Sequence, residues 1–175
     1  MRSLLQCLAL MVLLAGLHPG EARAEDSAEI RPDIGTATLV IVEKAVRRLT
    51  LFDDDVILAT YTIALGGEPD GPKRERGDGR TPEGEYVIDF RNPQSRFHRS
   101  LHVSYPSPAD RERAKAAGVD PGSAIFIHGL RNGWGWVGPM HNVTDWTDGC
   151  IAVTDEEIEE IWRAVPDGTP LHIPP

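Results

Sequence analysis

Apolar and polar positions along most of this chain alternate with the period of β-strands rather than helices. Residues 38–43, 47–52 and 56–65 are rich in β-branched or alternating apolar residues and are separated by brief polar breaks, which predicts a β-meander. The break Asp53-Asp54-Asp55 places three neighbouring carboxylates in different directions, so it reads as a solvated hairpin turn more readily than as a metal site. Residues 66–84 (GGEPDGPKRERGDGRTPEG) are dominated by Gly, Pro and charge, which is loop chemistry, and their Gly/Lys spacing fits no nucleotide fingerprint. Strand patterns return at 85–90 and 101–105, and 110–117, closed by Gly118, reads as a short surface helix.

The period changes after Cys150. Thr154 to Glu157 form a capping box, and Ile158, Ile161, Trp162 and Val165 follow at helical spacing, so a helix begins just past the strand that carries the cysteine. Trp162 falls on its core face. Pro166-Asp167-Gly168 ends the helix, and 169–173 supply a last strand. The expected class is mainly β, with no internal repeat and no second domain.

Composition narrows the function. Residues 1–24 have one early charge, Arg2, an apolar run from Leu4 to Leu17, and then helix breakers ahead of Ala22-Arg23-Ala24, the layout of a signal peptide cleaved after Ala24. The apolar run is shorter than the ~20 residues that span a bilayer. Such cleavage leaves 151 residues, enough for one domain, and takes the formal charge from −9 to −10. That acidity argues against nucleic acid or anionic lipid as the partner. Residues 25–35 are polar and Pro-containing and read as a flexible arm. Loss of the leader removes Cys7 and leaves Cys150 as the one cysteine of an exported protein, where an idle thiol is a liability.

Cys150 and His128 each stand at the edge of a short apolar run, beside Gly149 and Gly129 respectively. A thiol becomes a useful nucleophile when a positively charged His favours the thiolate and backbone N–H groups receive the developing oxyanion. The competing readings are a buried structural Cys with a satisfied His, and a zinc site drawn from Cys150, His128, His141 and Asp148 or His102. No CxxC or HxxxH spacing joins that set. Between the two residues, 130–147 hold Trp134, Trp136, Trp146 and Arg131 among several Gly and Pro residues. That composition suits a flap that closes on substrate, or a loop whose indoles pin it to the core.

His128-Gly129 and Thr147-Asp148-Gly149-Cys150 together resemble the HG…[ST]xGC motif of the L,D-transpeptidase catalytic domain (YkuD domain). The similarity runs from about Thr38 to Ile173 and includes GDGRTPEGEY, residues 77–86. The resemblance implies a β-sandwich with a short helix after the catalytic Cys strand, spanning residues 36–175. It implies a cysteine enzyme acting on peptidoglycan stem peptides, with Cys150 as nucleophile and His128 as base. Gly149, Asp148, Thr147, Gly129, Trp146 and Arg131 would serve the oxyanion or the substrate. It further implies no cofactor and no metal, and carbapenem-type β-lactams as covalent inhibitors, while the signal peptide implies a periplasmic or secreted location. Many members have His or Lys where this chain has Asp148, and Arg where it has Ala152; the sequence is similar instead to an exported subgroup with DWTDGCIAVT. The acceptor stays open: an amine gives transpeptidation and water gives hydrolysis. A module that binds peptidoglycan without catalysis is the alternative on the same fold.

Overall fold

A computed structural model describes residues 33–175; the expected signal peptide and most of the expected arm lie outside these residues. Within them, Ile34 packs against the core and the Ala37 N–H donates to Ala164 O, so the end of the arm is tied to the domain. No helix among the described residues is long and apolar enough to cross a membrane.

Eight strands form one strongly curled sheet: β1 (Leu39–Glu43), β2 (Arg48–Asp53), β3 (Val56–Thr62), β4 (Gly84–Asn92), β5 (Ser100–Val103), β6 (Phe126–His128), β7 (Ile151–Ala152) and β8 (Pro170–Ile173). Their order is β3-β2-β1-β8-β4-β5-β6-β7. The alternation read from the sequence is the alternation of burial: in β1, Val40 and Val42 face the core while their neighbours are half-exposed. β4 is the corner of the sandwich. Its first half pairs with β8 and its second half, past an irregularity between Ile88 and Phe90, pairs with β5, so one long strand serves both layers. The two ends of the sheet then meet. Just after β3, Ala64 and Gly66 bridge to Ala152 and Thr147, which covers the edge that β7 would otherwise expose.

Two helices complete the domain, α1 (Pro108–Ala117) and α2 (Asp155–Ala164). α1 starts two residues earlier than the charge pattern predicts. Ser107 is its cap, with Pro108 in the first turn and Asp110 completing a capping box, and that Ser-Pro-x-Asp signal was there to be read. α2 begins on the predicted box of Thr154 and Glu157 and buries Ile158 and Ile161 completely, which contributes on the order of 2 kcal/mol for each side chain. Trp162 packs at the core margin, with the Arg91 and Arg99 guanidinium groups 5.2 and 4.9 Å from its ring centre.

Candidate active site

β7 is only two residues long, yet it sets the position of the thiol. It runs parallel to β6 with Ile127 opposite Ile151 and His128 opposite Ala152. Cys150 therefore stands one step before the paired stretch, on the same side of its strand as Ala152, and that is also the side on which His128 projects. Both side chains line one cavity of about 760 Å³, together with Lys73, Phe97, Trp146, Thr147 and Asp148.

The turn into Cys150 is built by Thr147 and Gly149. Thr147 Oγ1 donates to Cys150 O at 2.8 Å and accepts from the Gly149 N–H at 3.1 Å. Gly149 has φ +117°, and a Cβ there would overlap the Arg80 carbonyl, so the position needs glycine on conformation and on space. One expectation is corrected by this geometry: the Gly149 N–H is already engaged, which leaves the Cys150 N–H, without a partner among the described residues, as the donor beside the thiol. Ala152 is completely buried where the sheet closes, a place without room for a long charged side chain.

His128 is buried to 4% exposure. Its Nδ1 lies 2.7 Å from Gly129 O; a carbonyl only accepts, so Nδ1 carries the proton and a neutral ring keeps Nε2 as its acceptor. Phe97 covers the ring at 4.5 Å between centres, and Trp146 meets it edge-on at 5.9 Å. Burial pushes the imidazole down to about 4, with the Gly129 carbonyl opposing and His141 adding to the shift. Burial likewise raises the Cys150 thiol above its ordinary value; Asp148 adds to the shift, while the Phe126 N–H and the Lys73 charge oppose it. Both shifts act in the direction that disfavours an imidazolium–thiolate pair, the charge state in which a thiol is most nucleophilic.

Gly129 is glycine because α2 leaves it no room: a Cβ would lie 2.7 Å from Asp155 Oδ1 and 2.9 Å from Ile158 Cγ2. That same Asp155 oxygen accepts from the Leu130 N–H at 2.7 Å, so the start of α2 holds the chain just past His128. At the far end of the loop, the Asp145 carboxylate accepts from Arg47 and from the Leu65 N–H, at 2.7 Å and 2.9 Å respectively, and sets the approach of Trp146. Between these anchors, Gly135–Val143 forms short 3-10 turns broken at Gly138.

The remaining candidates are distributed more widely. Asp148 is an exposed carboxylate on the cavity that Cys150 and His128 line, whereas Arg131 is exposed on a neighbouring cavity and does not line the first. Trp134 and Trp136 stack on each other at 6.3 Å and are 56% and 81% exposed, so these two indoles do not pin the loop to the core. Among the described residues no three His, Cys, Asp or Glu side chains gather as a metal site; His102 is occupied with Asp89 at 2.6 Å. Sequence reasoning missed Lys73 and Phe97. Lys73 is buried and paired with Asp78 at 2.7 Å, a contact that nothing in a loop of mixed charges announces. Phe97 had a signal, being the one aromatic in the polar stretch 91–99.

Comparison with known proteins agrees with this geometry. The family model described as the L,D-transpeptidase catalytic domain, YkuD, matches residues 37–173. The chain is similar to YafK of Escherichia coli (strain K12), which carries L,D-transpeptidase in its name, at 27% identity over 139 residues that cover 75% of this chain and 48% of YafK. It thus spans about half the length of that curated relative. The fold is similar to that of the helical cell shape determining protein Pgp2 of Campylobacter jejuni, with a TM-score of 0.59 and 23% identity over 79% of this chain and 48% of that one. It is also similar to L,D-transpeptidase 3 of Mycobacterium tuberculosis in complex with a faropenem-derived adduct, with a TM-score of 0.54 and 14% identity over 81% and 61% of the two chains. A match that takes in the curled sheet from Ala37 to Ile173, together with the Cys and His of the motif on one cavity, places this chain in the L,D-transpeptidase catalytic domain (YkuD) family.

Proposed function

We propose that this domain is a cysteine acyltransferase acting on the tetrapeptide stems of peptidoglycan. The observation that carries the reading is the convergence of Cys150 and His128 on one cavity, with Nδ1–H fixed on Gly129 O so that Nε2 is free to accept a proton. Cys150 Sγ attacks the carbonyl at the L-centre of meso-diaminopimelate while Nε2 takes the thiol proton, so charge develops only in the transition state. The Cys150 N–H receives the oxyanion. Collapse breaks the peptide bond, the departing D-alanine nitrogen takes the proton from Nε2, and a thioester remains.

The second half-reaction consumes the thioester. An amine from another stem loses its proton to His128 and forms a 3-3 cross-link; water at the same carbon gives the free tripeptide. Asp148, exposed on the cavity, is suited to attract an ammonium group before it is deprotonated. Arg96, on the rim and without an ion pair among the described residues, is suited to a stem carboxylate. The mechanism calls on no metal or organic cofactor, and the apolar leader supports a periplasmic or secreted place of action. The exposure of Asp148 at the mouth of the cavity and the small Ala152 beyond the thiol support hydrolytic release in competition with transfer.

The test is intact-mass spectrometry after incubation with a carbapenem or with faropenem, followed by product analysis with disaccharide tetrapeptide. One equivalent of adduct is expected on the native chain and none on Cys150→Ser, with cross-linked dimer and tripeptide both appearing as products. An adduct that survives Cys150→Ser, or full turnover by that variant, overturns the reading.

A further inference from the structure

Beside the catalytic cavity lies a second one of about 640 Å³, and the two share Arg96, Phe97 and Trp146. Its lining includes His141, which is only 6% exposed and has neither ring nitrogen hydrogen-bonded to any described residue. Buried polar side chains are nearly always paired, so an imidazole on a cavity wall with neither nitrogen used points to a ligand group that takes up one of them. Burial holds His141 below its ordinary value, against the pull of Glu157, and the neutral ring offers one donor and one acceptor. A hydroxyl or an acetamido group can serve either nitrogen in either tautomer, since each can donate and accept; a carboxylate only accepts.

The surrounding loop supplies the other half of the recognition. Trp134 lines the cavity and stacks on Trp136 outside it, and Met140 and Val143 are 74% and 75% exposed, so the segment offers flat apolar faces to solvent. An indole face suits the C–H face of a pyranose ring, whose hydroxyls remain free for His141. Position adds the last step. A stem peptide with its scissile bond at Cys150 is joined at its other end to a sugar, and the shared wall makes the second cavity the adjacent place for that sugar to go.

We propose that the second cavity is a saccharide subsite, binding an N-acetylated amino sugar of the glycan that carries the stem peptide in the catalytic cavity. The proposal rests on the acyl-transfer reading for its choice of glycan, and sugar binding can be measured without turnover. In the first arm, the ¹⁵N-labelled protein is titrated with the peptide-free disaccharide of N-acetylglucosamine and N-acetylmuramic acid. The indole N–H signal of Trp134 should shift saturably while that of Trp162, on α2, stays in place, and His141→Gln should weaken the response. If no loop indole moves at millimolar disaccharide, the subsite is overturned, whatever the enzyme does with peptides. Saturable binding with no turnover of any stem would keep the subsite and remove the acyl-transfer reading.

In the second arm, Trp134→Ala and the native chain are compared on disaccharide tetrapeptide and on the same tetrapeptide without sugar. The variant should raise KM about tenfold for the glycosylated donor, the fold-change that an aromatic contact supports, and leave the sugar-free donor unchanged. Trp134 is half-exposed, so its truncation leaves the core intact. An equal effect on both donors, or on neither, overturns the proposal.

Discussion

Cys150 and His128 are both tuned away from charge, and in the proposed mechanism this sets how the thiol would be activated. Burial lowers His128 to about 4 and raises Cys150, so a preformed imidazolium–thiolate pair is disfavoured near neutral pH. Iodoacetamide alkylation of Cys150 should therefore rise with pH only as the thiol itself ionises, above the ordinary thiol range. His128→Gln should leave that profile within about threefold while lowering turnover by roughly 10²–10⁴, the contribution of a lost general base. A plateau of alkylation from pH 5 to 8 that His128→Gln abolishes would restore the ion pair. Gly149 allows a second test at this scale. With φ +117° and the Arg80 carbonyl in the way of a Cβ, Gly149→Ala should cost at least about 2 kcal/mol in urea unfolding. A cost below about half a kcal/mol would mean that the turn relaxes without strain.

Among the elements, the 66–84 segment carries more of the site than its composition suggests. Lys44, buried at the end of β1, donates to Gly71 O, Thr81 O and Glu83 at 2.6, 3.1 and 2.7 Å, which fixes the segment against the sheet. Within it, Asp78 accepts from Lys73 and from the N–H groups of Arg74, Glu75 and Arg80. Although burial alone would raise its carboxyl, the Lys73 contact and these N–H groups hold Asp78 down at about 2. Asp78→Asn should increase hydrogen exchange at the amides of Arg74, Glu75 and Arg80 and weaken the hold on Lys73 beside the thiol. Unchanged exchange would show that the loop does not depend on this carboxylate. Strands and α2 were legible because alternation and a capping box are local signals. This loop was legible only as a loop, because its order comes from long-range pairs such as Lys44 with Glu83. The same limit applied to the site: HG and GC marked the reactive residues, while Phe97, Lys73 and the second cavity arise from chain segments brought together by the curl of the sheet. Residues 56–65 read as one strand, yet β3 stops at Thr62 because Ala64 and Gly66 are taken up by the bridges that close the sheet.

For the molecule as a whole, the packed domain buries two histidines, His128 and His141, and this couples the fold to pH. Unfolded His128 titrates near 6.5, and in the folded chain it is held at about 4. Between those values the unfolded chain binds a proton that the folded chain refuses, so the contribution of His128 is fully present above about 6.5 and is lost as the pH falls toward 4. A gap of this size corresponds to on the order of 3 kcal/mol. His141 shifts in the same direction and adds to the loss, whereas Asp78, held at about 2, stays ionised through this window and weakens the fold only at lower pH. The urea midpoint of the native protein should thus drop steadily between pH 6.5 and about 4.5. His128→Gln cannot take up the proton and should show a shallower slope, and adding His141→Gln should flatten it further. Equal slopes for the native protein and the double variant would mean that neither ring is held neutral by the fold, and the general-base role assigned to a resting, unprotonated His128 would lose its physical basis.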